Sequence, residues 1–150
     1  MSTTEVSRKT PPNTVYRIAI RSTRESVWEA LTAVDVPRSW MWHTTIHSSW
    51  AVGAPYAMSS GDTDLIVGTV LTYDRPDRLV MTFDARWDEL SAVEPAGQLE
   101  YLLTDSGDGV TELTVIISGL SGHSAVSVAA DTPGIYSGVK SLLETGAPLR

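Results

Sequence analysis

Near the C-terminus one stretch, PGIYSGVKSLLETG at 133–146, carries Ile135, Val139, Leu142 and Leu143 at helical spacing, and almost everything before it alternates at the period of a strand. One amphipathic helix set against a long run of strands leaves few folds open. Thr132 is placed to cap the first turn, Pro133 suits the first helical position, and Gly146 followed by Pro148 makes a stop. About 14 residues give a helix roughly 21 Å long, enough to lie diagonally across a curved sheet.

The strands are read from alternation and turn chemistry. Residues 15–21 place Tyr16, Ile18 and Ile20 on one face and Val15, Arg17, Ala19 and Arg21 on the other. Ser22 and Glu25 match a capping box, predicting a helix to about Ala33, and Asp35 with Pro37 predicts a second short helix through Trp40 to about Trp42. Strands follow at 44–50, 56–59, 65–73 and 79–83, with Gly68 marking a bulge or bend, and a hairpin closes over Ser106-Gly107-Asp108-Gly109. Segments 87–97 and 120–131 read as loops, the first acidic and the second rich in Ser, Ala and Gly. Helices at the two ends with short turns between strands predict an α+β domain with an antiparallel sheet.

A chain of 150 residues with 42% hydrophobic content predicts a single domain over 14–150, preceded by a loose tail at 1–13. A net charge of −7 argues against nucleic acid or an anionic membrane surface as partner. The absence of cysteine excludes disulfides and thiolate metal sites and suits a reducing compartment, so a cytoplasmic location is expected. Neither a signal-peptide core nor a membrane-length apolar run is visible.

Several segments carry a family likeness: Val15-Tyr16-Arg17-Ile18, Val27-Trp28-Glu29-Ala30-Leu31-Thr32, Gly68-Thr69-Val70-Leu71, Pro76-Asp77-Arg78-Leu79-Val80 and Ser141-Leu142-Leu143-Glu144-Thr145-Gly146. Together they resemble the SRPBCC or START-like superfamily and, within it, the small bacterial proteins related to the activator of Hsp90 ATPase. The resemblance covers roughly residues 14–148. It implies the helix-grip fold, as in START and Bet v 1-like proteins: a curved antiparallel sheet wrapped around the C-terminal helix, with an apolar cavity between them. Family members often enter the last helix through Gly-Trp-Pro-like residues, where this chain has Gly134-Ile135-Tyr136.

Candidate chemistry is sparse. His43 and His47 have the spacing of a metal pair on a helix, but Thr44-Thr45-Ile46 between them favours a strand, where four residues span about 13 Å, and no metal site is expected. His47 alone, facing the cavity, would be a proton acceptor. Glu100 alternates with the apolar face of its strand and is expected on the solvent side, and His123 in an exposed loop. Asp84, Asp88 and Glu89 around Trp87 would do acid–base work only if one were desolvated. Ser121, Ser124 and Ser127 lack a nucleophile-elbow pattern, so no catalytic residue is assigned. Among five tryptophans, Trp28 and Trp50 read as core. Trp40, Trp42 and Trp87, with Met58, Met81, Tyr101, His47 and the helix residues Ile135 and Val139, are the expected lining of the pocket.

The function expected from these features is binding of a small apolar or amphipathic molecule, with no cofactor and no set reaction. The alternatives are a cyclase or hydrolase using a cavity histidine or carboxylate, and a module acting on a chaperone. A homodimer is compatible with an edge strand that needs cover.

Overall fold

The structure, a computed structural model, describes residues 12–147. In chain order it contains β1 (Thr14–Ile20), α1 (Arg24–Thr32), β2 (Thr45–Ser48), β3 (Pro55–Ser60), β4 (Thr63–Asp74), β5 (Arg78–Ala85), α2 (Glu89–Ala92), β6 (Gly97–Gly107), β7 (Val110–Ser118) and α3 (Gly122–Thr145). The strands form one antiparallel sheet in the order β1-β7-β6-β5-β4-β3-β2. The two-residue alternation of the sequence explains its faces. Leu99, Tyr101 and Leu103 of β6 and Leu113, Val115 and Ile117 of β7 are all buried in the core, while Glu100 on the other face pairs with Arg78 at 2.7 Å. The α+β helix-grip architecture is therefore present, with α3 held against the sheet.

Contacts along the β1 edge hold α3 in place. Tyr16 and Ser137 hydroxyls lie 3.1 Å apart, Lys140 Nζ donates to the Ala19 carbonyl at 2.6 Å, and the Arg21 backbone N–H donates to Glu144 at 2.6 Å. These bonds partly cover an edge that would otherwise be open for pairing. The expected stop is where the sequence places it: Gly146 takes a left-handed φ of 85° and its N–H returns to the Leu142 carbonyl.

The start of α3 corrects the sequence reading. Segment 120–131 is not a loop, and Pro133 lies inside the helix rather than at its first turn. Ser124, Val128, Thr132, Tyr136 and Val139 form one buried stripe at steps of three and four, while Pro133 itself faces solvent. Pro133 gives up one helical hydrogen bond, and continuing burial of the stripe outweighs that loss. Helix propensity is a weak prior against such packing. A side chain from elsewhere supplies the new first turn with acceptors: Glu94 takes the backbone N–H groups of His123 and Ser124 at 2.7 and 2.8 Å.

Other boundaries move for similar reasons. Thr23, not Ser22, caps α1, accepting from the Ser26 N–H. The acidic segment expected as a loop contains α2, capped by Asp88 through the Ser91 N–H at 2.8 Å. No second helix forms between Asp35 and Trp42. Arg38 and Thr44 instead pair across a tight turn in which Trp42 and His43 adopt left-handed φ values of 51° and 59°, which right-handed helix excludes. Most of the expected tail, residues 1–11, lies outside the described residues. Asn13, its last residue, is tied down by bonding the Ile117 carbonyl and both the N–H and C=O of Leu120.

The bulge expected at Gly68 falls elsewhere in the sheet. Register shifts fall between Met58 and Ser59 and between Val70 and Thr72. Gly68 serves a close approach instead: a Cβ there would sit 2.3 Å from the Thr82 carbonyl oxygen and 2.7 Å from the Tyr56 ring. On the other side of α1, Trp28 is fully buried against Tyr73, its Nε1 donating to the hydroxyl at 3.2 Å, and Trp50 stacks on the same ring.

Candidate functional site

Between the sheet and the N-terminal half of α3 lies a cavity of about 390 Å³. Its sheet wall is Met58 of β3, Leu65 and Ile66 of β4 and Phe83 of β5; its helix wall is Val128, Thr132, Ile135 and Tyr136. Met41, Trp42, Thr44, Trp87, Asp88, Ser127 and Asp131 complete the lining. Trp42 is 65% exposed, so the cavity opens on that side. A volume within the usual range for small-molecule pockets, walled by apolar side chains with a few polar groups, suits one compact apolar body.

Sequence reasoning named nine lining residues, and the structure brings four of them together: Trp42, Met58, Trp87 and Ile135. Trp40, Met81, Tyr101 and Val139 are buried in the core beside the cavity rather than along it. Trp40 packs on α3 at Gly138, where a Cβ would come within 3.3 Å of its own Cβ. His47 does not face the cavity. It stands on the outer face of β2, where Nδ1 meets Asp35 at 2.5 Å and Nε2 the Thr45 hydroxyl at 3.0 Å. The alternation of a strand accounts for this, since Ile46 next to it takes the inward position and is 1% exposed. Among the described residues, no group of three His, Asp or Glu side chains is close enough to hold a metal ion.

Behind the rim is a polar feature that the sequence did not signal. Arg38 is 3% exposed, and among the described residues no carboxylate lies within ion-pair distance of it. Its Nη2 donates to the Thr44 hydroxyl at 3.0 Å and reaches Met41 Sδ at 3.4 Å, its Nε points to the Thr44 carbonyl at 3.4 Å, and its Cζ lies 5.0 Å from the centre of the Trp40 ring. Nη1 has no partner. Tyr136 leans on Trp40 at 6.1 Å between ring centres, and its hydroxyl meets that of Tyr101 at 2.6 Å. Burial pushes the Tyr56, Tyr101 and Tyr136 hydroxyls up, so all three are neutral donors at pH 7. Burial also pushes the guanidinium down, opposed by the three tyrosines, yet arginine stays charged in proteins.

At the mouth a small latch joins α2 to α3. Asp88 caps α2 and accepts from His123 Nε2 at 3.0 Å, while Glu94 caps α3. The Ser91 N–H, then His123, hold Asp88 below the usual carboxylate range against a desolvation effect of opposite sign. The Ser124 and His123 N–H groups hold Glu94 low in the same way. A carboxylate whose pKa falls on folding contributes stability that is complete above its unfolded value and is lost as pH drops through the folded one. Thermal melts of the wild type and of Asp88→Asn/Glu94→Gln should therefore differ most above pH 4.5, the ordinary glutamate value, and converge at lower pH. A constant gap down to pH 2.5 would show that the latch contributes nothing through its charge.

A sheet curled over a C-terminal helix with an apolar cavity between them defines a helix-grip protein of the SRPBCC class. More narrowly, the chain belongs to the family described as Activator of Hsp90 ATPase homolog 1-like protein, which matches residues 21–144. No curated protein matches it. Among solved structures, CalU16 from Micromonospora echinospora is similar at 18% identity and a TM-score of 0.68, over 88% of this chain and 76% of that one. DynU16, from the dynemicin biosynthetic locus, is similar at 25% identity and a TM-score of 0.71, over 92% of this chain but only 49% of its own. The Aha1 dimer from Colwellia psychrerythraea is similar at 16% identity and a TM-score of 0.67, over 88% of this chain and 96% of that one. These likenesses share the fold. Among the described residues no helix is long and apolar enough to cross a membrane.

Proposed function

We propose that this protein binds a small apolar or amphipathic molecule in the cavity between the sheet and α3. The observation that carries the reading is the cavity itself, about 390 Å³ with sheet and helix walls of aliphatic and aromatic side chains and an exposed tryptophan at its opening. His47, paired with Asp35 on the outer face of β2, stands outside the cavity. A cytoplasmic setting accords with the cysteine-free composition. Because the Colwellia neighbour is a dimer, self-association belongs to the same reading as a second property to be measured.

The test follows tryptophan fluorescence and thermal stability while fatty acids, polycyclic aromatics and steroids are titrated. Trp42 and Trp87 border the cavity and supply the signal. A ligand of the native state should saturate the fluorescence change and, at a hundred times its Kd, add about 2.7 kcal/mol to stability. No response from any class would refute the reading and turn attention to a protein partner.

A further inference from the structure

We infer that the Arg38–Tyr101–Tyr136 cluster behind the cavity is an anion-recognising subsite, and that the ligand carries a carboxylate or an equally acidic oxygen on its apolar body. The inference rests on the cavity reading above and adds the chemistry of one end of the ligand.

The argument is a count of donors. A guanidinium is planar, permanently charged and rich in N–H groups with no acceptor of its own. Taking it out of water costs several kcal/mol unless a counter-charge or good acceptors surround it. Buried arginines are for this reason almost always paired. Here Nε and Nη2 share the oxygens of Thr44 and a weak sulfur acceptor, and Nη1 has nothing. The chain has 18 acidic residues, yet those described pair with other partners or face solvent, and none is within reach of Arg38.

The tyrosines add to the same imbalance. Tyr56 donates its hydroxyl proton to the Thr82 carbonyl at 2.6 Å and is satisfied. Tyr101 and Tyr136 bond only to each other among the described residues. Two hydroxyls sharing one bond use one proton and leave the second without an acceptor. One N–H₂ group and one O–H therefore point to a missing acceptor in one buried neighbourhood, and neither is supplied by the fold.

That neighbourhood abuts the cavity. Met41 and Thr44, which hold the guanidinium, and Tyr136, one of the two paired tyrosines, all line it. An oxygen anion at this end of an apolar ligand would reach the guanidinium past the Thr44 and Met41 side chains that stand between it and the cavity. Cation–π contact with Trp40 keeps the guanidinium oriented, and charge-assisted bonds formed away from water are the strong ones.

The test compares matched pairs, naphthoate with naphthalenemethanol and decanoate with decanol, by calorimetry and tryptophan quenching at pH 8, where both acids are ionised. Each acid should bind about 30-fold more tightly than its alcohol, the effect of one charge-assisted bond to a buried partner. In Arg38→Met the preference should vanish while alcohol affinity is kept. Should that variant not fold, Tyr136→Phe decides, with acid affinity expected to fall about fivefold and by more than alcohol affinity, so that the acid preference narrows. Equal affinities for acid and alcohol in the wild type would overturn this inference and leave the cavity reading standing. An acid preference undiminished in the folded Arg38→Met protein, or equal acid affinity in wild type and Tyr136→Phe, would overturn the assignment to this cluster. Binding of none of the four compounds would overturn the cavity reading, and this inference with it.

Discussion

Tryptophans placed at both Val128 and Ile135 should weaken binding of any cavity ligand by at least about 100-fold, close to 3 kcal/mol, while the unfolding midpoint moves by only a few degrees. The two positions lie seven residues apart on α3 and both belong to the helix wall, so the indoles enter the same space about two turns apart. In a filled core such enlargement costs about 1–3 kcal/mol per site. Set into a cavity of about 390 Å³, the rings instead gain apolar contact. Stability measured by urea unfolding and affinity measured by calorimetry thus separate the two cases. Retained binding in a stable double variant would move the ligand out of this cavity.

Gly68→Ala is expected to destabilise the protein by about 3 kcal/mol, the upper end of what overpacking costs. A Cβ at this position would lie 2.3 Å from the Thr82 carbonyl oxygen, 2.7 Å from the Thr82 hydroxyl and 2.7 Å from the Tyr56 ring. The nearest of these is backbone and cannot swing away. Relief would require β4 and β5 to separate, which breaks the bond from the Thr69 N–H to the Thr82 hydroxyl at 2.8 Å and lifts the Tyr56 hydroxyl from the Thr82 carbonyl. For a chain of this size the midpoint should fall by roughly 6–12 °C. A loss below about 0.5 kcal/mol, within the ordinary range of surface changes, would mean that the strands are not held this closely.

Legibility in the sequence followed the range of the interaction. Alternation in 15–21, 99–103 and 113–117 marked inward and outward faces correctly, because a strand's period is set by its own backbone. The Gly146 stop was readable for the same reason. The start of α3 was not, since its first turn depends on Glu94, 30 residues earlier, reaching the Ser124 N–H. Pro133 misled for an instructive reason: proline suits a first helical turn, yet a buried stripe on the opposite side carried the helix through it.

The site divides along the same line. Trp42, Met58, Trp87 and Ile135 were recognisable as apolar residues near an expected cavity, whereas the cavity's other walls came from residues that look like ordinary core, such as Leu65, Phe83 and Val128. His47 was expected at the cavity although its neighbour Ile46 is the inward residue; alternation puts the two on opposite faces, and only the folded sheet shows which face is covered. Arg38 gave no signal at all. In the sequence it is one basic residue between Pro37 and Ser39, and only the turn that pairs it with Thr44 and lays it against Trp40 shows that its charge is buried.

By itself the sequence determined the sheet's alternation, the presence and end of the gripping helix, and membership of a family whose fold encloses a cavity. Those properties reside in local backbone periods and in segments a few residues long. Tertiary structure alone decided how far α3 extends, which aromatic side chains border the cavity and which sink into the core, and that an arginine with no counter-ion among the described residues sits behind its wall. Each depends on contacts between residues far apart in the chain, such as Trp40 with Gly138 and Tyr101 with Tyr136, and burial is a property of the assembled packing rather than of any residue's neighbours in sequence.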